Sequence, residues 1–345
     1  MTGKSMLDEE KDRVTTTQIA AKVGLSRFTV SKILNGDTSV KEKNRKKVLE
    51  LCDKLGFVMN QNALGLKTGK NSILALIVPY ITDGFYAELI EHMENYAGEK
   101  GYILTYKSSY NNAEIEKKVI RTFLSLNVCG MIVVPAVTNT DFSVHLFAEK
   151  NIPFIYLDRT VRENSYAVLN NNHESAFSMT EYLLGKRENV AFIDSFYGDL
   201  NPTAVDRKKG YLDAMKKHGR KPVLITAPDT KIHQDNEFYG LESMRAFLKG
   251  HEAPQAVFCI TDAVAFGAEA ALREIGLTPG KDVLVAGHDD LRFSQFANPS
   301  LTTMRQPAKE LAENAVMFIS ELKDGKKPKK IIRSFSSSLI IRNSA

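Results

Sequence analysis

Between Val14 and Lys70 the side chains equipped for chemistry are cationic and hydroxylated. This stretch holds 11 Lys/Arg against 4 Asp/Glu, and Thr16, Ser26, Thr29 and Ser31 are interspersed with Arg27 and Lys32. That mixture suits a polyanion. Cations that neutralise phosphates release condensed counterions, while hydroxyls and free backbone N–H groups bond phosphate oxygens and hold register. The local net charge is +7 within a chain whose formal total is +5, which leaves −2 for the remainder. A basic head on a near-neutral body is the electrostatic footprint of a nucleic-acid module.

Other chemistries find little support. The chain has no H-E-x-x-H, no G-x-S-x-G and no G-x-G-x-x-G, and its seven histidines lie far apart without metal-ligand spacing. The string GLKTGKNS lacks the G-x-x-x-x-G-K-[ST] spacing of a phosphate loop. Neither an enzymatic activity, a cofactor nor a metal is therefore expected. Cys52, Cys129 and Cys259 are widely separated and odd in number, which reads as reduced thiols in a cytosolic protein. No apolar run reaches the ~18 residues of a membrane helix, and the polar opening MTGKSMLDEEKDR reads as no secretory signal. With 345 residues, 43% hydrophobic and 25% charged, the chain suits a small module plus a large two-lobed one.

The elements that must position the basic residues are short helices. In VTTTQIAAKVGLSRFTVSKILNG, Thr16 or Thr17 can cap a helix whose Ile19, Ala20 and Val23 share a face. Gly24 lets that helix stop. Leu25 plugs a small core, and Ser26 is a natural N-cap for a second helix. Val30, Ile33 and Leu34 then point inward, leaving Arg27, Phe28, Thr29, Ser31 and Lys32 outside or on the flanks, with Asn35-Gly36 at the end. Ser39 and Glu42 have capping-box spacing for a third helix, in which Lys43, Arg45, Lys46 and Lys47 precede the apolar Val48, Leu51, Cys52 and Leu55. A helix of this kind can enter the major groove with its first residues at base edges. Any small three-helix bundle shares the pattern; the charge concentration favours DNA.

This stretch, followed by NALGLKTGK, resembles the lactose- and galactose-repressor (LacI/GalR) family of bacterial transcription regulators, whose signature T-x-x-x-I/V-A-x-x-x-G-x-S-x-x-T-V-S it carries. The resemblance implies that Arg27, Phe28 and Lys32 occupy base-reading positions, and that Thr16, Ser26, Thr29, Ser31 and Asn35 contact phosphate or steady the helix. Phe28 cannot form the bidentate bonds of Gln or Asn; its contribution would be apolar, to a thymine methyl. Residues 60–71 match the family's hinge, where Leu66 aligns with the leucine wedged into the minor groove, although an ordinary packing leucine is the alternative. Met59 stands in place of proline, Leu64 in place of arginine, and Gly65 disfavours a helix by up to about 1 kcal/mol.

From Ser72 onward, apolar strands alternate with amphipathic helices. Strands are expected over 73–78, 103–106, 131–134, 154–157, 190–193, 257–260 and 283–286, with a last one over 338–342. Helices are expected over 86–100, 113–126, 175–184, 207–218, 240–249, 263–275 and 309–323. Continuous Val/Ile runs between helices predict buried parallel sheets. About seven such units exceed one sheet, so two lobes with a ligand cleft between them are expected.

The strings VPYITDGFYAELIEHME, YLDR, DRKKGYLDAM, CITDAVAFGAEAALREIGL and DVLVAGHDDLRFSQFANPSLTTMRQP extend the resemblance to about residue 342. It implies an α/β chain with a helix-turn-helix head (14–59), a hinge (60–71) and a periplasmic-binding-protein-like body (72–345) of two Rossmann-like lobes. The N-lobe would take about 72–170 and 302–333, the C-lobe about 171–301 and 334–345. Tyr86 aligns with an aromatic that packs on the ligand, and Asp158 follows a strand at the cleft. Arg207, three residues before Gly210, matches a ligand-clamping arginine, while Thr261, Asp262 and Asp289 end strands. Such groups suit a polyhydroxy effector, most simply a sugar or sugar derivative: charged side chains bind hydroxyls strongly and a ring stacks on C–H faces. An anionic or ring-nitrogen ligand stays open. Asp262 and Asp289 also suit helix capping, Asp158–Arg159 a structural ion pair, and Tyr86 the core. His288 replaces the family's aromatic, which a neutral buried imidazole would satisfy, and Asn171 replaces an aspartate.

The function so implied is that of an allosteric repressor: a homodimer on pseudo-palindromic double-stranded DNA, answering to a small molecule, in the cytoplasm and away from membranes. A transport binding protein would share the lobes but need a secretory signal, and would have no use for residues 14–70. The chain stops soon after its last strand, so no tetramerisation tail is expected.

Overall fold

The computed structural model describes residues 14–34, 37–57, 71–137, 152–161, 165–227 and 235–345. They divide into two compact units that part after Lys70. The hinge residues Met59, Leu64, Gly65 and Leu66, and Asn35 with Gly36, lie outside the described residues.

The first unit is three helices, α1 (Thr16–Val23), α2 (Arg27–Leu34) and α3 (Glu42–Leu55). Ile19, Ala20, Val23, Val30, Ile33, Val48 and Cys52 form its core, with Leu25 and Leu34 packed against them. Caps set the helix ends. Thr15, rather than Thr16 or Thr17, is the N-cap of α1: its side chain accepts from the Gln18 N–H while the Gln18 side chain accepts from the Thr15 N–H, a reciprocal capping box. Gly24 closes α1 at φ +70°, a conformation that Cβ-bearing residues adopt only with strain. The Ser26 hydroxyl accepts from the Thr29 N–H at 3.0 Å.

The expected box at Ser39 and Glu42 does not form. Helix α3 begins at Glu42 behind Lys41, which supplies no side-chain cap. The Ser39 N–H is bonded to Asp37 Oδ1 at 2.8 Å and its hydroxyl accepts from Lys32 Nζ at 3.4 Å. A local Asx turn has taken the serine.

The second unit contains two six-stranded sheets. The first comprises β1 (Ile73–Val78), β2 (Ile103–Ser108), β3 (Gly130–Val133), β4 (Phe154–Asp158), β5 (Ala167–Asn170) and β11 (Ile332–Phe335); the second comprises β6 (Val190–Ile193), β7 (Val223–Ile225), β8 (Ala256–Cys259), β9 (Leu284–Asp289), β10 (Thr302–Arg305) and β12 (Ser338–Ile340). Among these pairings only β10–β12 is antiparallel. The first sheet runs β2-β1-β3-β4-β5-β11, and the second repeats the order as β7-β6-β8-β9-β10-β12. Each is a doubly wound sheet with its switch point beside the first strand, where ligands bind beyond the carboxyl ends.

Crossover helices cover the sheets: α4 (Gly84–Glu99) and α5 (Ala113–Ser125) with α10 (Ala308–Lys323) on the first, α6 (Asn172–Leu184), α7 (Pro202–Lys217), α8 (Asn236–Leu248) and α9 (Asp262–Glu274) on the second. Strand alternation splits the first sheet's side chains into two cores. Leu74, Leu76 and Val78 pack with α4 and α10, whereas Ala75 and Ile77 pack with Val119, Ile120 and Phe123 of α5.

The chain passes between the lobes three times, and two passages differ from the sequence expectation. Strand β10 pairs with β9, so the C-lobe runs on to about residue 306 before α10 returns to the N-lobe. Strand β11 pairs with β5 through Phe335, which puts the last crossing near residue 336 rather than 334. Edge pairing decides these points, and the short strands concerned carry no distinctive apolar run.

Candidate functional site

At the head, the N-terminal turn of α2 presents Ser26, Arg27 and Phe28 to solvent, with Thr29, Ser31 and Lys32 half-buried beside them. Phe28 is 71% exposed, and Lys32 Nζ lies 5.4 Å from its ring centroid. An apolar ring left this open does nothing for the seven-residue core beneath it. Lys32 also pairs with Asp37 at 3.3 Å, and Ser39 and Lys32 hold that carboxyl down at about 2. Thr16 is half-buried in the first turn of α1. Within the basic run, Lys47 Nζ bonds the Val23 carbonyl at the end of α1 at 2.9 Å and Arg45 the Asp37 carbonyl. Those two cations serve the fold; Lys43 and Lys46 stay exposed.

In the body, Tyr86, Asp158, Arg207, Thr261 and Asp289 line one cleft between the lobes, enclosing about 760 Å³ when its open mouth is counted. Asp158 ends β4 and Asp289 ends β9, both at positive φ (+66° and +129°). Non-glycine residues there store on the order of 1–3 kcal/mol of strain, tolerated where the surroundings over-determine the backbone. The strain turns both carboxylates off their strands. Tyr86 donates its hydroxyl to Asp158 Oδ2 at 2.9 Å, and burial with the Asp158 charge pushes the phenol's pKa well up.

Arg207 is buried on α7 and donates from Nε to Asn172 Oδ1 (2.8 Å) and from Nη1 to the Ile260 carbonyl (2.7 Å); Nη1 also stands 3.6 Å from Asp289 Oδ1. The helices α6 and α7 that carry this contact approach closely at Gly210, where a Cβ would lie 2.3 Å from the His173 carbonyl. Asp289 accepts from Gln306 Nε2 at 2.7 Å. Burial raises its carboxyl to about 6 against the pull of Arg207. His288, fully buried between Ser175 Oγ (2.9 Å) and Asp289, is driven far below its usual pKa by burial and by Arg207, so its imidazole is neutral.

Asp262 is not in this group. It lies beneath β9, accepting from the Leu291 N–H and the Ser294 and Thr303 hydroxyls, and a Cβ at Gly287 would stand 2.2 Å from its Oδ1. It locks the C-lobe interior. The helix cap at this turn is Thr261, whose side chain accepts from the Val264 N–H.

The cleft also gathers residues that the sequence reading did not assign to a ligand site. Arg159 is buried and donates to the Pro135 carbonyl, to Asn111 Oδ1 (2.9 Å) and, across the cleft, to Asn201 Oδ1 (3.3 Å). The hydroxyls of Tyr80 and Tyr197 meet across it at 3.1 Å. Asp83, N-cap of α4 through the Phe85 N–H, is raised to about 7 by burial and by its neighbours Asp289 and Asp158. The only sequence signal for Asp83 was its place just before a helix that starts with an aromatic pair. For Asn111, Asn201 and Tyr197 there was none.

A basic helix-turn-helix with solvent-facing readers, joined to a doubly wound two-lobed body with a polar cleft, defines a ligand-responsive DNA-binding regulator. Residues 15–60 match the model for bacterial regulatory proteins of the lacI family, and residues 186–345 match the periplasmic binding protein-like domain. The protein named as the probable HTH-type transcriptional repressor ExuR of Bacillus subtilis is 29% identical over 89% of this chain and 92% of its own length. Catabolite control protein A of Priestia megaterium is 28% identical over the same shares, and the repressor PurR of Vibrio atlanticus 27% identical over 92% and 94%. In fold, the chain resembles a lac repressor dimer bound to operator and an anti-inducer, with a TM-score of 0.84 at 21% identity over 96% and 98% of the two chains. The chain thus carries a lacI-family DNA-binding domain and a periplasmic-binding-protein-like domain, and over most of its length it is similar to repressors of the LacI/GalR family. Its relatives are regulators rather than enzymes, and no described helix is long and apolar enough to cross a membrane.

Proposed function

We propose that this protein is a cytoplasmic, homodimeric repressor whose grip on a pseudo-palindromic operator is set by a sugar or sugar derivative held between the lobes of its body. The observation that carries the effector half is the convergence of Asp158, Arg207 and Asp289 with Tyr86 on one cleft. Asp158 Oδ1 and Asp289 Oδ2 have no protein partner among the described residues, so each is free to accept from a ligand hydroxyl. Tyr86 offers an aromatic edge for C–H faces. On the DNA side, Arg27 and Lys32 donate to base edges, Phe28 contacts a thymine methyl, and Ser26, Thr29, Ser31 and Thr16 hold phosphates.

Coupling follows from the geometry of the cleft. Tyr80–Tyr197 and Arg159–Asn201 already join the lobes, and a ligand that replaces or reinforces those bonds shifts the balance of lobe arrangements. By linkage, operator and effector change each other's affinity by the same factor. A two-fold operator requires a dimer.

The test is a footprint on the DNA upstream of the protein's own gene, with titration calorimetry against neutral sugars, uronates, sugar phosphates and purines. A protected pseudo-palindrome whose affinity changes with one sugar is expected. A footprint altered only by a purine would remove the sugar, and protection of no sequence over random competitor at low salt would remove the repressor.

A further inference from the structure

Away from the cleft, the N-lobe carries a concentrated positive patch. Residues 323–330, between α10 and β11, read Lys-Asp-Gly-Lys-Lys-Pro-Lys-Lys, five lysines against one aspartate. Lys326, Lys327, Lys329 and Lys330 are all exposed. Lys326 approaches Asp324 at 3.7 Å in a solvent-exposed pair, which screening renders weak. Lys327, Lys329 and Lys330 make no hydrogen bond or ion pair among the described residues. The nearby Glu321 is already taken by Arg333 at 2.6 Å. Four ammonium groups crowded on one turn repel one another, and among the described residues only the exposed Asp324 carboxylate offsets that cost.

The place of the turn is as informative as its charge. Helices that connect parallel strands run against them, so α10 ends at the amino edge of the first sheet. There Lys323 Nζ donates to the Asn71 carbonyl at 3.0 Å and lies 4.9 Å from the Tyr102 ring centroid. Asn71 is the first residue of the body. The lysine turn therefore sits where the chain arriving from the DNA-binding head enters. The 13 residues 58–70 have a contour length of at most about 45 Å. That contour limits how far the end of the head can stand from Asn71, and a duplex backbone carries a negative charge every ~1.7 Å.

We infer that Lys326, Lys327, Lys329 and Lys330 form a second, sequence-independent DNA contact, engaging backbone phosphates that flank the operator. This rests on the DNA-binding reading of the head and extends it. The contact reads no bases; it adds affinity and salt sensitivity on duplexes long enough to reach it.

The experiment compares the full-length protein with the variant K326Q/K327Q/K329Q/K330Q on two duplexes, one confined to the operator and one with about 15 extra base pairs on each side. On the long duplex the variant should bind on the order of tenfold more weakly at 0.1 M salt, and its slope of log K against log salt should be shallower by about 3, the value for roughly three lost phosphate contacts. On the short duplex, and in thermal midpoint, it should match the wild type. Equal slopes on the long duplex overturn the inference. So does an equal loss on both duplexes, which would mark a general effect on the fold or on overall charge. Capture of the wild type but not the variant by anionic phospholipid vesicles, with no difference on long DNA, assigns the turn to a membrane and also overturns it. If the wild type binds neither duplex, the failure lies in the reading of the head.

Discussion

In the head, the side chains offered to a partner stand in solvent above a core of seven buried residues; in the cleft, Asp158, Arg207 and Asp289 are buried and already bonded to the protein. The contrast follows from the partners. A duplex is a rigid surface that must be met by something protruding, and its phosphates reward exposed cations. A small polar ligand is gripped by desolvated groups, whose hydrogen bonds are stronger for lying away from water. Readers in the head are therefore nearly independent of stability, whereas ligand-facing residues in the cleft also hold the body together.

The sharpest way to break this comparison is to destroy one region and watch the other. Val30→Asp places an unpaired charge in the head core, at a cost of about 3–5 kcal/mol, which a three-helix unit this small cannot absorb. Operator binding should vanish while effector binding by calorimetry stays within about twofold of wild type. Loss of both would show that the units do not fold separately.

A smaller effect sharpens the distinction between exposed and buried groups. Arg207→Ala removes charged hydrogen bonds worth about 1.5–3 kcal/mol, so effector affinity should fall roughly 10- to 100-fold. The body's thermal midpoint should fall with it, because Asn172 and the Ile260 carbonyl lose their donor. Arg27→Ala should weaken operator binding without moving any thermal midpoint. An Arg207 variant with unaltered affinity and reduced stability would make that residue purely structural.

The smallest effect concerns pH. Burial raises the Asp289 carboxyl to about 6 from an unfolded value near ~3.9. Between those values the native state holds more protons than the unfolded one, so stability falls as pH rises and levels off above about 6. Asp289→Asn removes this contribution. Apart from a constant offset for the lost carboxylate, the variant should gain about 2 kcal/mol relative to wild type as denaturation is repeated from pH 4 to pH 7. A difference that does not change across the range would mean that the carboxyl titrates normally.

Much of this architecture was legible because its signals are local. Capping residues, Gly24, the 3.6-residue spacing of Ile19, Ala20 and Val23, and the Val/Ile runs of β1 and β6 each act within one turn or one strand. Their element types hardly depend on distant neighbours. Errors arose where two local options competed, as at Ser39, which joined the Asp37 turn instead of capping α3. Strands β5, β7, β10 and β11 were not anticipated: TTMR of β10 and IRSF of β11 hold no apolar run, and the runs in AVLN of β5 and VLI of β7 are only three residues long.

What the amino-acid order determined by itself was the kind of parts: a basic three-helix head, and alternating strands and helices enough for two doubly wound sheets. Tertiary structure alone decided which acids face a ligand. Asp158, Asp262 and Asp289 look alike in sequence, each at a strand's carboxyl end. Positive φ turns the first and third into the cleft, while three donors from β10 and the loop after β9 draw Asp262 inside. Those donors lie 29 to 41 residues away, and only packing brings them to the same carboxylate.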